Sequence, residues 1–197
     1  MLKKTLIALD KKHLQQLIRE EINISGVNCD LNHIDVSNII DMEWLFHKSD
    51  FNGNISGWDV SGVTNMGYMF YNAQFDQSIS EWDVSRVQNA GYMFAKSKFN
   101  QDISEWDVSN VTDMCGMFYE SKFEQDISKW TPRSLISNSD MFKDSVLEKS
   151  KIIPYWSNIA VEFLEQAINA YQLQRNIEQQ LKNVRVSKRK TFNTIKI

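Results

Sequence analysis

Proline, glycine, cysteine and histidine are all scarce in this chain: two, seven, two and three residues among 197. Two cysteines are too few to staple a small secreted fold, and Cys29 and Cys115 lack metal-ligand spacing, so the expected setting is reducing and cytoplasmic. No His-x-x-x-His pair links His13, His33 and His47, which argues against a metal site. With so little glycine there is no phosphate-cradling loop before a helix, no nucleophile elbow and no kinase motif. The sequence therefore reads as a non-enzyme that uses no cofactor. Apolar runs fall far short of the roughly 20 residues that cross a bilayer, and Lys3 and Lys4 precede only a few apolar residues, so neither a membrane partner nor a secretory signal is expected.

The net charge of −3 hides a split. Between Val27 and Val146 there are 18 Asp+Glu against 8 Lys+Arg, whereas the flanks are basic. From Lys182 onward come six cations, Lys182, Arg185, Lys188, Arg189, Lys190 and Lys196, and no acid. Such asymmetry marks an interaction tail or an electrostatic contact between flank and middle.

A 24-residue period fills that acidic middle. Trp58, Trp82, Trp106 and Trp130 repeat at this interval, each seven positions after Phe51, Phe75, Phe99 and Phe123. A degenerate first unit, 27–50, brings the count to five. Position five of each unit is Leu31, Ile55, Ile79, Ile103 and Ile127; position thirteen is Ile39, Val63, Val87, Val111 and Leu135; Phe46, Phe70, Phe94, Phe118 and Phe142 form a column without exception. These columns are the predicted core. A buried Trp removes about 150–250 Å² from water, roughly 4–6 kcal/mol gross, but only once a neighbouring unit covers it.

The stretch Ile79 to Val84 ends in alternating buried positions and predicts a short strand, while the i, i+3, i+6, i+7 spacing of Val63, Met66, Met69 and Phe70 predicts a short helix or 3₁₀ turn. The expected fold class is an α/β repeat solenoid, a leucine-rich-repeat-like stack of five 24-residue coils capped by N- and C-terminal helices; the rival is a β-helix with little helix, against which the helical Met-Phe spacing argues. Residues 1–26 form the N-terminal cap, 27–146 the repeats and 147–197 a C-terminal helix with a basic tail. Asp10 is the expected N-cap of a helix burying Leu14, Leu17, Ile18 and Ile22, and Ser157 that of a helix reaching about Val184. The polar second half of that last helix offers a surface for self-association or for a partner.

The unit Phe-Asn-Gln-Asp-Ile-Ser-Glu-Trp-Asp-Val-Ser-Asn-Val-Thr-Asp-Met-x-x-Met-Phe at 99–118 resembles the BspA-like bacterial surface-protein repeat, also called the PARCEL repeat, which is abundant in mycoplasma and listeria lipoproteins. The resemblance covers Val27 to about Val146. It implies a leucine-rich-repeat-like fold and a binding role. The lipoprotein cysteine of surface members is missing, and Trp130-Thr131-Pro132-Arg133 breaks the Trp-Asp-Val-Ser motif, so surface location does not carry over.

Position nine holds Asp35, Asp59, Asp83 and Asp107, joined at position seven by Glu81 and Glu105. If positions eight and ten point inward along a strand, these carboxylates share the outer face. Unit charges about 4.8 Å apart repel by about 0.9 kcal/mol in water, so their repetition needs a cause. One cause is local: each Asp can accept from the serine two residues on, fixing a turn. The other is a protein partner with a basic surface, and a carboxylate has lone pairs for both. The leading expectation is a protein-protein interaction module built on Asp35, Asp59, Glu81, Asp83, Glu105 and Asp107. The alternative is an inhibitor or decoy that mimics nucleic acid, as a phage or mobile element would use, although duplex DNA carries a charge every ~1.7 Å, about twice this density or more. Direct nucleic-acid contact through Lys182, Arg185, Lys188, Arg189 and Lys190 is disfavoured by the acidic body beside them.

Overall fold

The computed structural model describes residues 4–150, 154–158, 173–177 and 179. The chain divides into two compact units, Met1–Asn158 and Ile159–Ile197.

The first unit opens with β1 (Leu6–Ile7), which pairs in parallel with β2 (Ile34–Asp35). Between them runs α1 (Lys11–Ser25), started by Asp10, whose carboxylate accepts from the His13 N–H at 2.8 Å, and ended at Gly26 with a φ of 83°. Leu14, Leu17 and Ile18 are buried, Ile22 half-buried, and Arg19 and Glu20 exposed, as the spacing predicts. Lys11 reaches Asp41 at 3.1 Å and Glu21 lies 3.3 Å from His33, so α1 is tied to the first 24-residue unit at both ends.

The strand-plus-helix class, an α/β solenoid of leucine-rich-repeat type, is overturned. Among the described residues the only strands are the two-residue β1 and β2, and no helix lies within 27–145. The chain there is built of turns. Ile79 to Val84 is not a strand, because the Trp82 N–H turns back to the Ile79 carbonyl at 3.2 Å, and the Val87 N–H likewise to Val84 at 2.9 Å. Val63 to Phe70 is not a helix, although its three-residue spacing is real. Met69, Tyr71 and Ala73 donate to the carbonyls three residues back, at 3.1 Å each, while Met66, Tyr68, Phe70 and Asn72 donate at 2.8–2.9 Å to Asn89, Gly91, Met93 and Ala95 in the next unit. Alternate N–H groups thus close turns and join units. A residue with positive φ at every fourth position, Tyr68 (56°) and Asn72 (52°), re-aims the chain and breaks any helix.

Successive units meet in parallel at the isolated bridges Asp41↔Asn65, Asn65↔Asn89, Asn89↔Asp113 and Asp113↔Ser137. The predicted core columns are buried: Ile55, Ile79, Ile103 and Ile127 are at most 1% exposed. Phe46, Phe70, Phe94, Phe118 and Phe142 stack at 5.6–5.8 Å between ring centroids, and Phe51, Phe75, Phe99 and Phe123 at 6.2 Å. Each tryptophan also bonds across units: the indoles of Trp58, Trp82, Trp106 and Trp130 donate to the carbonyls of Leu31, Ile55, Ile79 and Ile103 at 3.0–3.2 Å. That bond explains tryptophan here, since phenylalanine would fill much of the space but leave the donor out.

A polar ladder at position two adds a second clamp. Asn52 accepts from the Asp76 N–H and the Gln77 amide, Asp76 from Asn100 and Gln101, and Asn100 from Glu124 and Gln125, all within 2.8–3.2 Å. From residue 146 come α2 (Val146–Ser150) and then a 3₁₀ turn, Tyr155–Asn158, whose buried Trp156 stacks on Trp130 at 6.3 Å. The Ser157 hydroxyl donates to the Pro154 carbonyl within that turn. Most of the C-terminal helix expected after Ser157 lies outside the described residues; 173–177 are helical and exposed.

Candidate interaction surfaces

The column predicted to bind a partner is first of all a column of turns. Asp35, Asp59, Asp83 and Asp107 each accept through Oδ1 from the backbone N–H of Ser37, Ser61, Ser85 and Ser109, at 3.0–3.1 Å. The Ser61 hydroxyl adds a 2.6 Å bond to the same oxygen of Asp59. The same two-residue bond recurs at position four, from Ser56, Ser104 and Ser128 to Asn54, Asp102 and Asp126, and at position fifteen, from Glu43, Gly67, Gly91 and Cys115 to Asp41, Asn65, Asn89 and Asp113. These side-chain-closed turns, three in each of the first, second and fourth units, two in the third and one in the fifth, replace the expected strand and helix.

Asp59, Asp83 and Asp107 nevertheless face solvent and Asp35 is half-exposed. Turns rather than strand alternation put them there. Glu81 is exposed and accepts from the Ser80 hydroxyl at 3.3 Å. Glu105 is paired with Lys129 in an exposed ion pair, and the carboxylate raises the lysine pKa. Arg86 lies near Asp83 and helps hold its carboxyl low. The proposed tail contacts Lys182, Arg185, Lys188, Arg189 and Lys190 lie outside the described residues. Among the described residues no three His, Cys, Asp or Glu side chains are placed to hold a metal, and no helix is long and apolar enough to cross a membrane.

The turn bonds leave a pH signature. The Ser37 N–H, then its hydroxyl, holds the Asp35 carboxyl below its ordinary value; the Ser85 hydroxyl, then its N–H, does so for Asp83, and the Ser104 N–H, then its hydroxyl, for Asp102. A carboxyl whose folded pKa is depressed contributes stability above its unfolded value, 3.8 here, and loses it as pH falls through the folded one. Burial lowers His47 from 6.5, so the folded state binds fewer protons there and loses stability as pH drops below that value. The melting temperature is expected to be highest near neutrality, to slip below about pH 6.5 and to fall more steeply below about pH 4. A melting temperature that rises from pH 7 to 3 contradicts this assignment.

A second surface is not among the predicted sites. At position eighteen Trp44, Tyr68 and Tyr92 stack face to face, Trp44–Tyr68 at 3.9 Å and 8° and Tyr68–Tyr92 at 4.9 Å and 7°. Their φ angles are 63°, 56° and 54°. The fourth unit has Gly116 at this place (φ 56°) and the fifth Asp140. The Tyr92 ring lies over Gly116, where an added Cβ would come within 2.3 Å of it. A left-handed non-glycine residue costs about 1–2 kcal/mol, so three cost roughly 3–6 kcal/mol, while two stacked pairs return roughly 1–3 kcal/mol. Stacking offsets part of that cost, and the fold carries the same conformation at Lys48, Asn72, Lys96, Glu120 and Asp144 with no ring stack. Tyr71 and His47 border the column, and burial together with Tyr92, Tyr71, Asp113 and Glu43 raises the Tyr68 pKa. Lower down, Tyr119 is pushed up to about 12 by donating to Glu120. The signal in the sequence was aromatic residues at a 24-residue interval, 44, 68 and 92, that stops after three units.

No curated protein and no solved structure matches the chain. One family model matches it three times, over residues 13–98, 40–156 and 95–194, which together span nearly its whole length. With its 24-residue units and their turn columns, the chain belongs to the family described as Mycoplasma protein of unknown function, DUF285.

Proposed function

We propose that the protein is a non-enzymatic protein-protein interaction module whose acidic column, Asp35, Asp59, Glu81, Asp83, Glu105 and Asp107, meets a basic surface on a partner. One observation carries this: Asp59, Asp83 and Asp107 are exposed, and the backbone N–H that closes each turn is accepted by Oδ1 alone, so the turn does not need Oδ2. Asparagine holds the equivalent turn at Asn54, Asn65 and Asn89, so the turn itself does not require a charge. Aspartate at position nine in four successive units is therefore a choice of charge, made against its own repulsion. The likeness to BspA-like repeats points to binding as well. The cytoplasm is the compartment we propose, on the low cysteine count.

The test is a double substitution, Asp83→Asn with Asp107→Asn, which keeps both turn acceptors and removes two charges. Capture of a basic partner from host lysate treated with nuclease should fall about tenfold, with the unfolding transition unchanged. Unchanged capture assigns the aspartates to the turns alone and refutes the module as drawn.

A further inference from the structure

Trp44, Tyr68 and Tyr92 occupy a backbone conformation that suits glycine, asparagine or aspartate, and the last two units use glycine and aspartate there. Trp44 is 41% exposed, whereas the other five tryptophans are at most 6% exposed. The left-handed backbone belongs to the repeat as such, since Lys48, Asn72, Lys96, Glu120 and Asp144 share it four positions on; what sets position eighteen apart is that three adjacent units place stacked rings there, Trp44 exposed among them, and such an aromatic surface points to use by a ligand. The chemistry of the surroundings narrows which ligand. Both faces of Tyr68 are covered by its neighbours, at 3.9 and 4.9 Å, so it offers no open face to a sugar or a nucleobase. Two carboxylates adjoin the rings: Glu43 precedes Trp44 in the chain and is half-buried, and Asp113 Oδ2 lies close beside Gly91, next to Tyr92. The fold already seats one cation on this kind of surface, with Lys96 Nζ 5.6 Å from the Tyr119 ring centre and 3.5 Å from Glu120.

We propose that the Trp44–Tyr68–Tyr92 column, between Glu43 and Asp113, is a second binding surface that takes a protein segment bearing arginine side chains. The guanidinium groups lie against the exposed part of the indole, beside His47, which packs edge-on against it at 4.8 Å, and along the phenol edges, where they donate to the carboxylates and phenol oxygens. This stands apart from the acidic column and uses none of its residues.

The full chain is titrated with hexa-arginine while acrylamide quenches tryptophan emission, a readout dominated by Trp44 because the other indoles are buried. Hexa-arginine should lower the quenching slope about twofold. Maltohexaose and hexaglutamate should leave it unchanged. Glu43→Gln with Asp113→Asn should weaken the protection about tenfold, with folding kept because Asn65 and Asn89 close the same turn as Asp113. Tyr92→Asn suits the left-handed backbone, so this variant should melt no lower than wild type yet lose protection. No protection by hexa-arginine, or equal protection by the sugar, overturns the proposal. So does protection indifferent to Glu43→Gln with Asp113→Asn. Loss of protection in Asp83→Asn with Asp107→Asn would move the peptide to the acidic column, sinking this surface and leaving that reading intact.

Discussion

Trp106→Ala is expected to cost about 3–5 kcal/mol, a drop in melting temperature of roughly 6–20 °C for a chain of this size. The side chain is 6% exposed and lies 6.4 Å from the Trp130 ring, nearly parallel at 4°. It also packs on Phe94 at 6.2 Å, so its loss opens a cavity against two aromatic columns. Its indole bond to Ile79 disappears as well, although that carbonyl still accepts from the Trp82 N–H. No buried acceptor is orphaned, and the cavity dominates the cost. Trp106→Phe separates the terms: it keeps a ring and loses the bond, and should cost less than half as much. Because each unit contacts chiefly its neighbours, a lesion in the fourth of five also weakens coupling between the two sides, and the transition should broaden. Equal melting curves for wild type and Trp106→Ala would remove the tryptophan column from the core. Thermal denaturation followed by far-ultraviolet circular dichroism decides it.

Burial was legible in the sequence and local conformation was not. A buried column leaves the same apolar residue at every 24th place, so Phe46 to Phe142 and Ile55 to Ile127 are read directly, and Asp10 announces α1 by its place ahead of Leu14 and Leu17. The turns misled because two periods overlap. Turn closures three residues apart, as from Met69 to Met66, copy helical spacing, and two successive turns, Trp82 to Ile79 and Val87 to Val84, bury Trp82 and Val84 two places apart and copy the alternation of a strand. Glycine usually flags the left-handed residue that distinguishes them, but here tyrosine, tryptophan, lysine and glutamate hold it at Tyr68, Trp44, Lys48 and Glu120. The turn bonds of the position-nine aspartates to serine were anticipated, and their exposure too, although from a strand that does not form. The aromatic column was missed because Gly116 and Asp140 interrupt it, and the ladder from Asn52 to Glu124 because its polar members resemble ordinary turn residues.

Gly53→Ala should be the most damaging single-methyl addition in the chain. Its φ is ordinary, so the requirement is one of space. A Cβ at this position would come within 1.9 Å of the Cys29 carbonyl oxygen and 2.9 Å of the Asn28 carbonyl carbon, both backbone atoms that no rotamer change removes. The approach is this close because Asn52 donates to the Val27 carbonyl at 2.8 Å, pulling the second unit onto the start of the first. Later units carry Gln77, Gln101 and Gln125 at the same position, whose amides join the ladder, so a side chain is tolerated wherever this junction does not close. Accommodating alanine means parting units one and two at that corner, breaking the Asn52 bond and loosening Phe51, which is fully buried and 2.8 Å from the same point. The expected cost is at or above the top of the roughly 1–3 kcal/mol range for overpacking. Hydrogen exchange locates it: the amides of Leu31 and Asn52, which bond across that junction, should lose protection before Phe94 or Phe118 does. Uniform loss along the chain, or a melting temperature unchanged by Gly53→Ala, would mean that the junction does not close as tightly as described.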